Sequence, residues 1–279
     1  YVPTYGIPAG DAWFVAFDST STDQRMAIGR LPVSSEDEIR RYLEKHRAYL
    51  GMKPDIWNKT TMFFSGGDAE EGLDGLLRLR EANALVISNV VEPPPLAGRA
   101  FHFYKTVDPQ TNFGPFENEF VKKSIDDGAI AISYIGHSGL DVWDNAIQEA
   151  RQLHNGRGLA PLVTDFGCST GKFAEPDIVS YSEKFVLPAD GQAIAYIGNS
   201  SLGFEATAVL LPIEFYSELI QQESKSIGEA HRIAKRNIIE KYGLATVNVI
   251  AMRSNALIGD PIVRIAFPQK PNLVARPEW

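Results

Sequence analysis

From residue 59 to residue 279 the chain repeats one pattern, a short apolar run followed by a helix-like amphipathic stretch, and this succession constrains the fold more than any other feature. Runs that are apolar throughout suit strands covered on both faces, and helices between them supply the crossovers of a parallel sheet. The runs are TTMFFSGG (60–67), NALVISNVV (83–91), GAIAISYIGH (128–137), LAPLVTDFGC (159–168) and GQAIAYIGNSS (191–201). The spacing predicts helices over 69–82, 117–127, 145–154, 177–187 and 208–242, the last with a break near Ser224–Gly228. Residues 1–58 differ: apolar runs at 12–17 and 26–33 flank a polar turn, and a charged helix follows from about Ser35 to Leu50. The expectation is an α/β protein in two parts. Residues 1–58 read as the closing portion of a first subdomain that starts before Tyr1, and 59–279 as the main α/β subdomain.

Composition narrows the function. With 44% hydrophobic and 22% charged residues the chain has the makeup of a globular protein, not a disordered or fibrous one. Its 27 basic and 35 acidic residues give a net charge of −8, and no basic stripe tracks a phosphate backbone, so nucleic acid and anionic membranes are poor partners. No uncharged apolar run reaches the roughly 18 residues that a membrane-spanning helix requires. The single cysteine, Cys168, excludes an intramolecular disulfide and any zinc site built on several cysteines.

Chemistry concentrates at two strand ends. In open parallel sheets, reactive groups gather beyond the carboxyl ends of the strands. The third run ends in Gly136-His137-Ser138-Gly139 and the fourth in Gly167-Cys168-Ser169-Thr170-Gly171. If the two strands are neighbours, an imidazole and a thiol share one edge, with small residues whose N–H groups can meet an oxyanion. The alternative is a loop histidine beside a buried structural cysteine. GCSTGK has three residues, not four, before its Gly-Lys and lacks the following Ser or Thr of a phosphate loop. GHSG carries Leu140 where a nucleophile elbow needs Gly.

At these residues the sequence resembles the gingipain-type cysteine peptidases, relatives of caspases and legumains. Trp143 stands six residues after His137 and Phe173 five after Cys168, as in that family. DAWFVAFDSTSTDQRMAIGRLPV at 11–33, GQAIAYIGNS at 191–200 and LIGDPIVRI at 257–265 continue the likeness in order. The resemblance implies a caspase-like three-layer α/β fold, with a mostly parallel sheet and flanking helices, and a bacterial protein that is secreted or held at the cell surface. It implies a cysteine endopeptidase acting on a protein or peptide substrate, with Cys168 as nucleophile, His137 as general acid and Asp68 orienting the imidazole. Asp68 can equally cap the following helix, with Glu70 and Glu71 as fallbacks for the orienting role. The N–H groups of Cys168 and Ser138 would form the oxyanion site, although the family usually has Gly where Ser138 stands. Substrate-binding candidates are Trp143, Glu205 and Thr207; Thr207 falls where lysine-specific members carry an acid, so no basic preference is assigned. No cofactor is required, and structural calcium at Asp18 and Asp23 is compatible with the polar turn. The alternatives are a weak or inactive member serving as a peptide-binding or secretion-assembly module, and a sortase-like transpeptidase.

Overall fold

A computed structural model describes residues 3–17, 23–67, 72–108, 119–144, 146–147, 149–156, 158–189, 192–222 and 226–268. Six strands form one sheet: β1 (Thr60–Ser65), β2 (Arg99–Tyr104), β3 (Ala131–Ile135), β4 (Leu162–Asp165), β5 (Ala195–Asn199) and β6 (Asn255–Gly259). Their order is β2-β1-β3-β4-β5-β6, parallel throughout except for β6, which pairs antiparallel with β5. Helices α2 (Gly72–Val86), α5 (Glu205–Tyr216), α6 (Ile227–Tyr242) and α7 (Thr246–Ser254) pack on one face, α3 (Glu119–Asp126) and α4 (Tyr181–Val186) on the other. This is the three-layer, mostly parallel architecture that the run pattern implies.

Alternation along the strands divides the core. Ile132 and Tyr134 of β3, Val163 of β4 and Tyr196 of β5 point to the α3–α4 side, while Ala131, Ile135, Leu162 and Ile197 point to the other. By the same period of two, Asp165 shares the side of Val163. Its charge is thereby sent into an aromatic layer instead of out to water.

Several expectations are corrected. NALVISNVV at 83–91 is not a strand: α2 runs through it and ends in a wider turn over Ile87–Val91. Ala82, Val86 and Val90 are buried while Leu85, Ser88 and Asn89 are exposed, a spacing of four that suits a helix and not a pleat. The strand needed at that edge is RAFHFY at 99–104, where Phe101 and Phe103 alternate with Ala100 and His102. The helix expected over 145–154 is reduced to one turn at Ala150–Gln152, because Ala146 adopts a left-handed conformation with φ 80° that breaks the ladder. The run at 12–17 forms a short turn at Ala12–Phe14 instead of a strand. The break in the last long helix falls where expected, between Gln221 and Ile227.

Among the described residues of 3–58 no strand of the sheet forms. Helix α1 (Glu36–Leu50), capped by Ser35, lies at the amino-terminal ends of the parallel strands: Tyr42 Oη donates to Ile194 O and accepts from Asp260 N. Arg30 runs beside β6, its N–H donating to Leu257 O (2.9 Å) and its C=O accepting from Gly259 N (2.8 Å). Its guanidinium holds Asp11 through two bonds of 2.6 Å.

Candidate active site

At the opposite end, β3 and β4 are adjacent and in register, so Gly136-His137-Ser138 and Gly167-Cys168-Ser169 emerge side by side. His137 and Cys168 line one cleft of about 310 Å³, walled by Gly75, Arg78 and Leu79 of α2 and by Gly203 to Glu205 at the start of α5. His137 is exposed and Cys168 half-buried, so both can be reached from solvent. The histidine turn is fixed by a small hairpin: Asp144 N donates to His137 O (3.1 Å), Gly139 N to Val142 O (2.8 Å), and Tyr134 Oη to His137 O (2.5 Å).

The cysteine turn is held from two sides. Ser169 takes a left-handed conformation (φ 58°), its N–H donates to Ser201 O (2.8 Å), and Gly171 N donates to Asn199 O (2.9 Å), stitching the turn to the end of β5. Gly203 N donates to Cys168 Sγ at 3.3 Å. Beneath the turn lies Asp165, fully buried, which accepts from Gly167 N (2.6 Å), Thr170 Oγ1 (2.6 Å), Trp143 Nε1 (2.8 Å) and Tyr196 Oη (3.2 Å). Burial pushes its pKa up to about 6 against the pull of these donors. A second chain of bonds reaches the turn from α6: His231 Nε2 to Asn255 Oδ1 (2.7 Å), Asn255 Nδ2 to Asn199 Oδ1 (2.8 Å), and Asn199 Nδ2 to Gly167 O (2.6 Å). Burial lowers the His231 pKa to about 3, so the ring is neutral and acts as donor at the head of that chain.

Residues 1–266 match the model of Peptidase family C25. The chain belongs to this family. Among solved structures it is similar to the Arg-specific cysteine proteinase gingipain R, with TM-score 0.77 and 14% identity over 95% of this chain and 62% of that one. It is also similar to the complex of Porphyromonas gingivalis RgpB pro- and mature domains (TM-score 0.73, 14% identity, 93% of this chain and 61% of that) and to a structure described as a protease (TM-score 0.76, 14% identity, 93% and 60%). At that identity the likeness is one of fold, and it bears out the caspase-like architecture. The chain spans about three fifths of the length of these chains. No curated protein sequence matches it.

The other residues singled out in the sequence divide. Glu205 lines the cleft, with its carboxylate held by Arg78 Nε at 2.5 Å. Thr207 does not: it is buried in the first turn of α5, its hydroxyl donating to Phe204 O (3.0 Å). Trp143, expected at the substrate, is 0% exposed; it stacks on Tyr134 at 4.5 Å and donates to Asp165, so it serves the cysteine turn from below. Asp68, Glu70, Glu71 and Asp18 lie outside the described residues. Asp23 pairs with Arg25 at 3.2 Å, and among the described residues no group of three or more His, Cys, Asp and Glu side chains is placed to hold a metal ion. Likewise, no described helix is long and apolar enough to cross a membrane.

Asp165, Asn199, Asn255 and His231 are not among the site residues expected from the sequence. Asp165 had a signal, as the one charge in the otherwise uncharged strand LVTDF. The two asparagines and His231 had none, since only the pairing of β5 with β6 brings Asn199 opposite Asn255.

Proposed function

We propose that the chain is a cysteine peptidase acting on protein or peptide substrates, in a bacterial protein that is secreted or held at the cell surface. The observation that carries the reading is that Cys168 and His137, on adjacent strand ends, line one cleft. In the proposed reaction His137 takes the Cys168 thiol proton, and the thiolate adds to the scissile carbonyl, forming the C–S bond as the C=O π pair moves to oxygen. His137 then gives a proton to the leaving amine as the C–N bond breaks. Water hydrolyses the thioester, releasing the acid and restoring the thiol. The N–H groups of Cys168 and Ser138 face the developing oxyanion, and Gly203 N–H supports sulfur as it carries charge. Asp68 remains the proposed partner that orients His137.

The cleft's selectivity follows from its walls. Leu79, Phe166, Phe204 and Ala208 are apolar, and among the described lining residues the one carboxylate, Glu205, is matched by Arg78. An apolar substrate side chain therefore fits better than a basic one, which would have to displace Arg78. The test is a digest of a diverse peptide mixture read by mass spectrometry with wild type, Cys168→Ala and His137→Ala. Wild type is expected to cut, and both variants to lose cutting by a thousandfold or more. Undiminished cutting by Cys168→Ala, or none by folded wild type, overturns the reading.

A further inference from the structure

We infer that the Ser138 hydroxyl is a gate on the oxyanion site: at rest it occupies the Cys168 N–H, and the substrate carbonyl must turn it aside. The inference rests on the peptidase reading above. Ser138 Oγ accepts from Cys168 N at 2.6 Å and donates to Cys168 O at 2.9 Å, bracketing the nucleophile's own peptide group. A backbone N–H makes one strong hydrogen bond, so this donor is already spent on the hydroxyl.

The hydroxyl fits there because residue 167 has no side chain. A Cβ on Gly167 would stand 2.3 Å from Ser138 Oγ, well inside any tolerable contact. Asp165 Oδ1 lies 3.4 Å from the hydroxyl and accepts from Gly167 N at 2.6 Å, so a fully buried carboxylate supports the position that the hydroxyl takes. The closed position also gives the Cys168 N–H, in a half-buried turn, a protein partner. Opening is a χ1 rotation about one bond, far faster than any chemical step. It exchanges two protein hydrogen bonds for contacts with water. Exchange of one net hydrogen bond weakens oxyanion binding by about fivefold.

The probes are the tripeptide aldehyde N-acetyl-leucyl-leucyl-norleucinal and iodoacetamide. The aldehyde adds to the thiol, its carbonyl carbon bonding to sulfur while the oxygen becomes a hemithioacetal hydroxyl or oxyanion. Iodoacetamide alkylates sulfur with loss of iodide and uses no oxyanion site. Aldehyde affinity is read, without any turnover assay, as protection of Cys168 from alkylation by mass spectrometry, in wild type, Ser138→Gly and Ser138→Ala. Both variants are expected to bind the aldehyde about fivefold more tightly, with iodoacetamide rates changed by less than about twofold. Unchanged affinity, including no binding by any of the three, overturns the gate. Weaker binding by the variants also overturns it, because the hydroxyl is then a donor to the oxyanion. A parallel rise in iodoacetamide rate does so too, since the gain is then thiol exposure. Tighter aldehyde binding by proteins that cut no peptide in the digest supports the gate and overturns the peptidase reading alone.

Discussion

On one face of the sheet α2, α5, α6 and α7 bring mostly aliphatic side chains; on the other, Tyr134, Trp143, Tyr181, Phe185 and Tyr196 bring rings that also carry hydrogen bonds. The aliphatic side holds by area, a non-directional attraction that fixes volume but not angles. The aromatic side is directional: Trp143 lies 8° from parallel to Tyr134, and its N–H and the Tyr196 hydroxyl converge on Asp165. Both faces stabilise the sheet; the aromatic one aims the cysteine turn through Asp165, while the aliphatic one reaches it only through the polar chain that starts at His231. Stability and catalysis should therefore separate when the two faces are perturbed.

The largest expected effect is at Asp165. Asp165→Asn keeps the volume but offers one acceptor oxygen to donors that now bond two. Leaving one or two buried donors unpaired destabilises by about 2–4 kcal/mol. Turnover per folded molecule should fall about a hundredfold through misplacement of Cys168. Denaturant titration and active-site-normalised kinetics check the two halves, and an unchanged turnover in folded Asp165→Asn breaks the division between the faces. Next comes a truncation on the aliphatic face, remote from the cleft. Ile238→Ala, at a fully buried position of α6, should lose about 3 kcal/mol of stability while turnover per folded molecule stays within twofold of wild type. A joint fall in turnover would show the faces to be coupled.

The smallest effect is one of pH. His231 has an ordinary pKa of 6.5 that burial lowers to about 3 in the folded chain. Between these values the unfolded chain binds a proton that the folded chain refuses, so the stability tied to His231 falls as pH falls through that window. From pH 7 to pH 5 the loss is about 2 kcal/mol. His231→Gln keeps a donor for Asn255 without the titration, and should lose that much less stability than wild type over the same range. Parallel curves for the two proteins would remove the asymmetry. Lys235, whose pKa burial lowers to about 7, stands beside it on α6 and is common to both proteins.

Much of this was legible in order and kind. The runs at 60–67, 128–137, 159–168 and 191–201 carry β1, β3, β4 and β5, and the histidine and cysteine turns leave the strands where the sequence places them. What escaped shares a cause: edge elements and buried polar pairs have weak local signals. RAFHFY is an edge strand, half-buried and interrupted by Arg99 and His102, so it shows no continuous apolar run. NALVISNVV misled through its β-branched residues, although the polar Ser88 and Asn89 between apolar pairs mark a helical period. Trp143 was legible as a site residue but not its direction, because that depends on which side of β4 Asp165 faces.

The strip of backbone at Arg30 that closes off β6 has a consequence for self-association. Leu257 and Gly259 would otherwise present a bare C=O and N–H along the sheet's rim, a template on which a second chain can add a strand. Proteolytic release of the segment around Arg30 would leave the cleft's strands intact and make the rim adhesive, turning a folded chain into a seed for edge-to-edge assembly.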